Sequence, residues 1–173
     1  EPDVERVQSA AARSRRARRL AGLRAELERY FSPEAFVPRL PADADEETVI
    51  RGLGGLLAAQ GVITDDYVTR TLERERISST AFTDALAVPH AMGMTATRTA
   101  IAVGLADPSI RWGDGRVHVV TMVAFSESDR EAFQTVFEQL VEVFSERDSV
   151  QRIVRRGTTF AAFLDELVAV VDG

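Results

Sequence analysis

The chain has 173 residues, 45% of them hydrophobic and 28% charged, and a net charge of −6, which suits one domain with a sizeable core and leaves room for an appendage. No apolar run approaches the roughly 18 residues of a membrane span, and the N-terminus lacks a signal-peptide layout, so the cytoplasm is the expected compartment. The absence of cysteine excludes disulfides, thiolate metal sites and cysteine nucleophiles.

Residues 1–30 carry eight arginines against five acids, whereas the remainder carries thirteen against twenty-two. All the positive residues are arginine, a pattern that reads as genomic base composition rather than function. The acidic body argues against direct nucleic-acid binding. "RSRRARR" (13–19) reads either as a contact for phosphates or anionic lipid, or as the solvated face of a helix. The chain starts without methionine, as a piece of a longer protein would.

Residues 3–30 are rich in good helix formers and lack an internal proline, and Leu20, Leu23, Leu27 and Tyr30 recur at helical spacing. A helix is predicted there, with Pro33 ending or restarting the path. "FVPRL" (36–40) reads as a short strand that Pro38 would confine to an edge. "DEETVIRGLGGLLAAQG" (45–61) places Val49, Leu53, Leu56 and Leu57 on one helical face, with acids in its first turn and Gly61 as its stop. "TDDYVTRTLERER" (64–76) repeats the form, with Thr64 at the N-cap and Val68 and Leu72 inward. A loop, "ISSTAFTD", then precedes the short strand "ALAV" and Pro89-His90.

"TAIAVGL" (99–105) and "VHVVTMVAF" (117–125) have the nearly continuous apolar character of strands buried on both faces. Between them "DPSIRWGDGR" supplies turn residues, with Trp112 covering an edge. From residue 128 the period becomes helical, carried by Phe133, Phe137, Leu140 and Phe144. "RDSVQRIVRR" and "TTFAAFLDELVAVV" follow as two shorter helices. Helices before, between and after buried strands predict a layered α/β domain.

Few residues could carry chemistry. The two histidines lie 28 positions apart without a His-x-x-x-His pair, so a metal site is not expected. There is no G-x-S-x-G elbow and no P-loop lysine, and "GLGG" (52–55) sits within a helical pattern rather than after a strand. His90 remains. Pro89 fixes φ and cannot donate to a ladder, so the strand should stop where His90 begins. Strand ends are where α/β folds place sites, and a neutral imidazole can carry a phosphoryl group. On the residues alone, a structural and a functional histidine fit equally well.

"LERERISSTAFTDALAVPHAM" (72–92) resembles the active-site stretch of the enzyme IIA family of the phosphoenolpyruvate-dependent sugar phosphotransferase system, mannitol/fructose class. The shared pattern is an arginine-bearing helix end, a Ser/Thr-rich loop and then "AVPH". The similarity in element order runs from about residue 31 to 171 and includes "GVITDDYV" (61–68). It implies an enzyme IIA-like domain over 31–173 behind a linker helix at 1–30. The expected architecture is a mixed β-sheet flanked by helices on both faces, with no cofactor.

The resemblance gives His90 the place of the phosphorylated histidine, and Arg74 the place of an arginine that holds phosphoryl oxygens. On the residues, Arg74 could instead pair with Glu73 or Asp66. Ser78, Ser79 and Thr80 could donate to a phosphate or merely cap the loop. Transporter-type members carry a second active-site histidine early in the helix after the last long strand. Phe133 occupies the matching position here. His118 is either a core histidine, on the opposite face of its strand from Val117, Val119 and Thr121, or a substitute that reaches His90.

The segment from Ser109 to Phe144 looks most like the enzyme IIA-like domain at the C-terminus of sugar-responsive transcription regulators and antiterminators. The implied function is a regulatory phosphoryl acceptor, charged by the phosphocarrier HPr or by an enzyme IIB and joined to upstream regulatory domains. A transporter component that passes phosphate from HPr to enzyme IIB, and an interaction module that accepts none, are the alternatives.

Overall fold

A computed structural model describes residues 2–173; Glu1, the start of the expected linker helix, lies outside the described residues. Four strands form one sheet: β1 (Phe31–Val37), β2 (Leu86–Ala87), β3 (Thr95–Trp112) and β4 (Gly115–Ser126). Their order is β1-β3-β4-β2, with β1 parallel to β3, β3 antiparallel to β4, and β4 parallel to β2. The sheet is therefore mixed, as expected.

Both faces are covered. On one, α2 (Glu46–Ala59) and α3 (Asp65–Ile77) pack Ile50, Leu53, Leu57, Val68 and Leu72 against Ala102, Val120 and Met122. On the other, α1 (Pro2–Glu28), α4 (Arg130–Val143), α5 (Arg147–Arg156) and α6 (Phe160–Asp172) enclose Ile101, Val103, Leu105, Val119 and Val123. The two apolar faces of β3 and β4 explain their unbroken hydrophobic runs.

The hairpin β3–β4 is longer than its apolar runs suggest. Residues 107–112 continue β3 with Ile110 and Trp112 inward and Arg111 outward, and the turn is only Gly113-Asp114. Gly113 has φ +59°, which glycine tolerates without a Cβ clash. Trp112 is 1% exposed, so it fills the core rather than covering an edge. β1 also begins earlier than expected, at Phe31, because buried Phe31 and half-buried Phe36 anchor it to the second core. Its register with β3 slips between those anchors, around Pro33, which has no N–H to offer the ladder. Pro38 follows the strand, and β1 is an edge.

The helix caps follow local chemistry. The Asp45 carboxylate accepts the Thr48 N–H, and that bond holds its pKa below the ordinary value. Gly61 follows α2 at φ +71°, and Thr159 caps α6 through the Ala162 N–H. Thr64 takes the N-cap position of α3 without a side-chain cap bond. In α1, residues 3–19 are exposed, and the helix seats through Leu20, Leu23 and Leu27, with Arg19 bonded to Asp172 of α6. The arginine-rich stretch is thus a solvated face, with Arg16 and Arg19 turned to Asp172.

"GLGG" is a packing motif. A Cβ on Gly54 would come within 2.7 Å of Val68 Cγ2, whereas nothing lies within 4 Å of one on Gly52 or Gly55. Only the middle glycine lets α2 and α3 approach. Gly54→Ala should lower unfolding free energy by about 1–3 kcal/mol through overpacking. Gly52→Ala or Gly55→Ala should raise it by up to about 1 kcal/mol, the helix-propensity gain. Urea denaturation of the three variants checks the contrast.

Candidate functional site around His90

Two residues of β2, Leu86 and Ala87, pair with Val119 and Val120 of β4, and both are fully buried. Pro89 ends the ladder as a donor but not as an acceptor: its carbonyl takes the Val123 N–H at 3.0 Å. His90 therefore emerges beside Val123, to which it forms a parallel bridge. The loop before β2 folds back along it. Val88 N donates to Thr80 O at 3.1 Å, Phe82 N to Leu86 O at 2.9 Å, and Ala81 bridges Ala87.

The ring of His90 is held by its own backbone. Nδ1 lies 2.8 Å from Val88 O, and a carbonyl can only accept, so Nδ1 carries the proton. In the neutral ring, Nε2 is then the nitrogen with a free lone pair. Phe125 meets the imidazole edge-on, with centroids 6.1 Å apart and planes at 89°. The half-buried ring borders a cavity of about 350 Å³ walled by Met92, Met94, Phe125, Phe133 and Phe137, with Arg130 and Gln134 from α4.

Arg74 ends α3, half-buried, and donates from Nη1 to Ser78 O at 2.8 Å. The ion pairs available to it by sequence do not form: Asp66 bonds Arg70, and Glu73 is exposed. Arg74 is not among the described residues that line the cavity; it acts on the loop bracing β2. Ser79 Oγ accepts the Ala81 N–H, and Ser78 is exposed. Thr80 is 4% exposed and gives its hydroxyl proton to Glu75 Oε2 at 2.6 Å, so its hydroxyl is committed inside the fold rather than offered to a phosphate.

His118 does not reach His90. It lies five positions before Val123 on β4, roughly 16 Å away along the strand at about 3.3 Å per residue. The alternation argument for its side chain also fails, because the strand bulges there. Both His118 N and Val119 N donate to Ala85 O at 2.8 Å, so Val117 and Val119 enter opposite cores. His118 Nδ1 bonds Ala106 O at 2.8 Å, and the ring lies near Val150 and Gln151 of α5.

Phe133 is buried, edge-on to Tyr30 at 5.5 Å and to Phe125 at 5.0 Å, and it forms the cavity floor.

Two residues that sequence reasoning passed over hold this region together. Glu75 Oε1 accepts both Thr80 N–H at 2.9 Å and Trp112 Nε1–H at 2.7 Å, in addition to the Thr80 hydroxyl on Oε2. Its signal was positional: 68, 72 and 75 share one helical face, and a buried tryptophan needs an acceptor. Tyr67, 2% exposed, donates to Val123 O at 3.1 Å and accepts the Phe125 N–H at 3.2 Å. Burial pushes its phenol pKa up, partly offset by the backbone hydrogen bonds.

Glu75→Ala leaves the buried Trp112 and Thr80 donors unpaired and should cost on the order of 3 kcal/mol of stability. Glu75→Gln keeps an acceptor and should cost less, as read by chemical denaturation. Wild-type stability should also fall as pH rises past about 10, where the unfolded chain ionises a tyrosine that the fold keeps neutral. Tyr67→Phe should lose part of that alkaline fall and, at neutral pH, about 1–3 kcal/mol for two unsatisfied backbone groups.

Residues 31–167 match the family model described as phosphoenolpyruvate-dependent sugar phosphotransferase system, EIIA 2. The transcriptional regulator ManR of Bacillus subtilis (strain 168) is 27% identical over 119 residues, covering 69% of this chain. The chain spans only 18% of that regulator's length. The mannitol-specific phosphotransferase enzyme IIA component of Halalkalibacterium halodurans is 26% identical over 142 residues, covering 79% of this chain and 95% of the component. Among solved structures, the Escherichia coli complex of enzyme IIAMTL with phosphorylated enzyme IIBMTL superposes with a TM-score of 0.68 at 20% identity, over 80% of this chain and 99% of that one. With the family match spanning most of the chain and the same fold in the solved structure, the chain belongs to the type 2 enzyme IIA family of the sugar phosphotransferase system.

Proposed function

We propose that this chain is the phosphoryl-accepting domain of a transcription regulator, and that His90 Nε2 is the acceptor. The observation that carries the reading is the bond from His90 Nδ1 to Val88 O, which leaves Nε2 as the nucleophile beside an open cavity. In the transfer, the Nε2 lone pair forms a bond to phosphorus while the bond from phosphorus to the donor atom breaks. The breaking bond's electron pair stays on the donor, and Nδ1 keeps its proton, hydrogen-bonded to Val88 O. Most of the catalysis is positioning and charge stabilisation.

Arg74 contributes positive charge from the last turn of α3, where it bonds the loop that braces β2. Its guanidinium has five N–H groups, and the bond to Ser78 O leaves others for phosphoryl oxygens. Ser78 and Ser79 stand on the same loop and could add hydroxyl donors, whereas Thr80 and His118 take no part. HPr or an enzyme IIB would be the donor, and residues 1–30 would connect the domain at 31–173 to further regulatory domains. The regulatory reading is supported by the similarity to ManR. Phosphorylation adds negative charge at the His90 surface, which can repel or recruit a docked domain.

A carrier role in sugar uptake is the second reading, favoured by the match along 95% of the H. halodurans component.

Incubation with phosphoenolpyruvate, enzyme I and HPr, with an enzyme IIB added if needed, should place one acid-labile phosphoryl group on the wild type. His90→Ala should take none and His118→Ala should still take one; equal labelling of His90→Ala would refute the assignment. Arg74→Ala should slow labelling more than it unfolds the domain, since one charged hydrogen bond contributes about 1.5–3 kcal/mol at most. Onward transfer to enzyme IIB partners, measured beside a reporter of the full-length protein carrying His90→Asp, separates regulator from carrier. A responsive reporter with slow onward transfer supports regulation.

A further inference from the structure

We infer that Arg130, assisted by Gln134, is the phosphoryl-binding pair on the cavity side of His90. The inference rests on the reading of His90 as the acceptor and adds the groups that receive the phosphoryl oxygens.

The cavity beside His90 is otherwise apolar. Its walls are Met92, Met94 and the aromatic layer Phe125, Phe133 and Phe137; apart from His90, its polar side chains among the described residues are Arg130 and Gln134. A phosphoryl group on Nε2 brings three oxygens and a negative charge into this space. Methionine and phenylalanine cannot satisfy them, and leaving them unpaired beside apolar walls is costly. Arginine presents a planar fork of donors that matches phosphate oxygens, and a glutamine amide adds N–H donors.

The placement of these two side chains follows from the helix. Arg130 and Gln134 lie four residues apart, one turn, at the start of α4, so they share a face and open on the same cavity. Phe133 and Phe137 share the adjacent face, their rings tilted at 41° with centroids 6.0 Å apart, and fill the floor beneath them. The donors are thus displaced to either side of the buried phenylalanine instead of sitting at its position. Arg130 is the first residue of α4, so its charge and the positive dipole end of the helix lie together at this wall.

Arg130 is placed without being locked. Its guanidinium touches Met94 Sδ at 3.5 Å and lies 3.8 Å from Glu127 Oε2, and it is exposed. Met94 is itself a cavity wall, so the resting position of Arg130 is against that wall. Such weak contacts hold the side chain near the site and cost little to exchange. Arg74, by contrast, spends a donor on Ser78 O at 2.8 Å. The two arginines stand on different elements, α3 and α4, so their contributions should be separable by mutation.

The test uses the full chain with two phosphoryl donors: phosphorylated HPr, and phosphoramidate, a small donor that needs no protein docking. With phosphoramidate, Nε2 bonds to phosphorus as the P–N bond breaks, and ammonia leaves with that electron pair and a proton from water. Arg130→Ala should slow labelling of His90 by at least tenfold with both donors. Arg130→Lys should recover part of the rate, because the charge survives but the fork does not. Gln134→Ala should slow labelling less, by about two- to fivefold.

All three variants should melt with the wild type. Their phosphorylated forms should lose the group faster than wild type on standing, a readout that a merely structural residue would not move. Labelling and dephosphorylation of Arg130→Ala and Gln134→Ala at wild-type rates would overturn the inference while leaving the acceptor role of His90 intact. A loss confined to phosphorylated HPr, with phosphoramidate unaffected, would also overturn it, by making Arg130 a docking residue. Absence of labelling in the wild type, or undiminished labelling of His90→Ala, would overturn the acceptor reading and this inference with it.

Discussion

The Glu75 carboxylate joins three parts of the chain that are otherwise far apart in sequence. It receives the backbone and hydroxyl of Thr80 and the indole N–H of Trp112, so the end of α3, the loop before β2 and the tip of the β3–β4 hairpin meet on one side chain. Thr80 in turn accepts the Val88 N–H, and Val88 O holds His90. The orientation of the imidazole is therefore set by a short relay of hydrogen bonds from a buried acid to a two-residue strand. Because Glu75, Thr80 and Val88 are buried and each bond satisfies a group that would otherwise be orphaned, the relay is stiff.

That stiffness meets a softer wall. The loop side of His90 is fixed by backbone bonds, while the cavity side is built of methionines, phenylalanines and side chains of α4 that touch each other weakly. Met92 is 79% exposed and Phe82 52%, on loops flanking the site. A histidine that must exchange a group with a second molecule needs such asymmetry. The nucleophile has to stay aimed, and the surface around it has to accommodate the partner.

Much of the fold was legible because its signals are local in sequence. The unbroken apolar runs of β3 and β4 and the 3.6-residue faces of α2, α3 and α4 stand in the sequence, and the motif around His90 carried the family resemblance. What escaped was set by single tertiary contacts. Trp112 looked like edge cover because it stands among Gly, Asp and Arg, yet its partner is an acid 37 positions earlier. Alternation placed His118 opposite Val119 and Thr121, and the bulge of β4 at His118 and Val119, facing Ala85 O, breaks that alternation. Thr80 read as a possible phosphate ligand because nothing local shows that Glu75 already holds it. Arg130 and Gln134 were hidden for the reverse reason: they look like ordinary solvent residues until the fold swings α4 against the His90 strand.

The long first helix has a mechanical meaning that its composition conceals. It is clamped at one end, where Leu20, Leu23 and Leu27 and the contacts of Arg16 and Arg19 with Asp172 seat it on the domain, and residues 3–15 project as an overhang. At about 1.5 Å per residue that overhang is roughly 20 Å long. A lever of this length turns small rotations into large displacements: a tilt of about 10° at the clamp carries residue 3 about 3 Å. The clamp belongs to α6, whose other side packs into the same core as β4 and the floor of the His90 cavity. Any rearrangement of that core would reach the tip amplified, without a single contact there having to change.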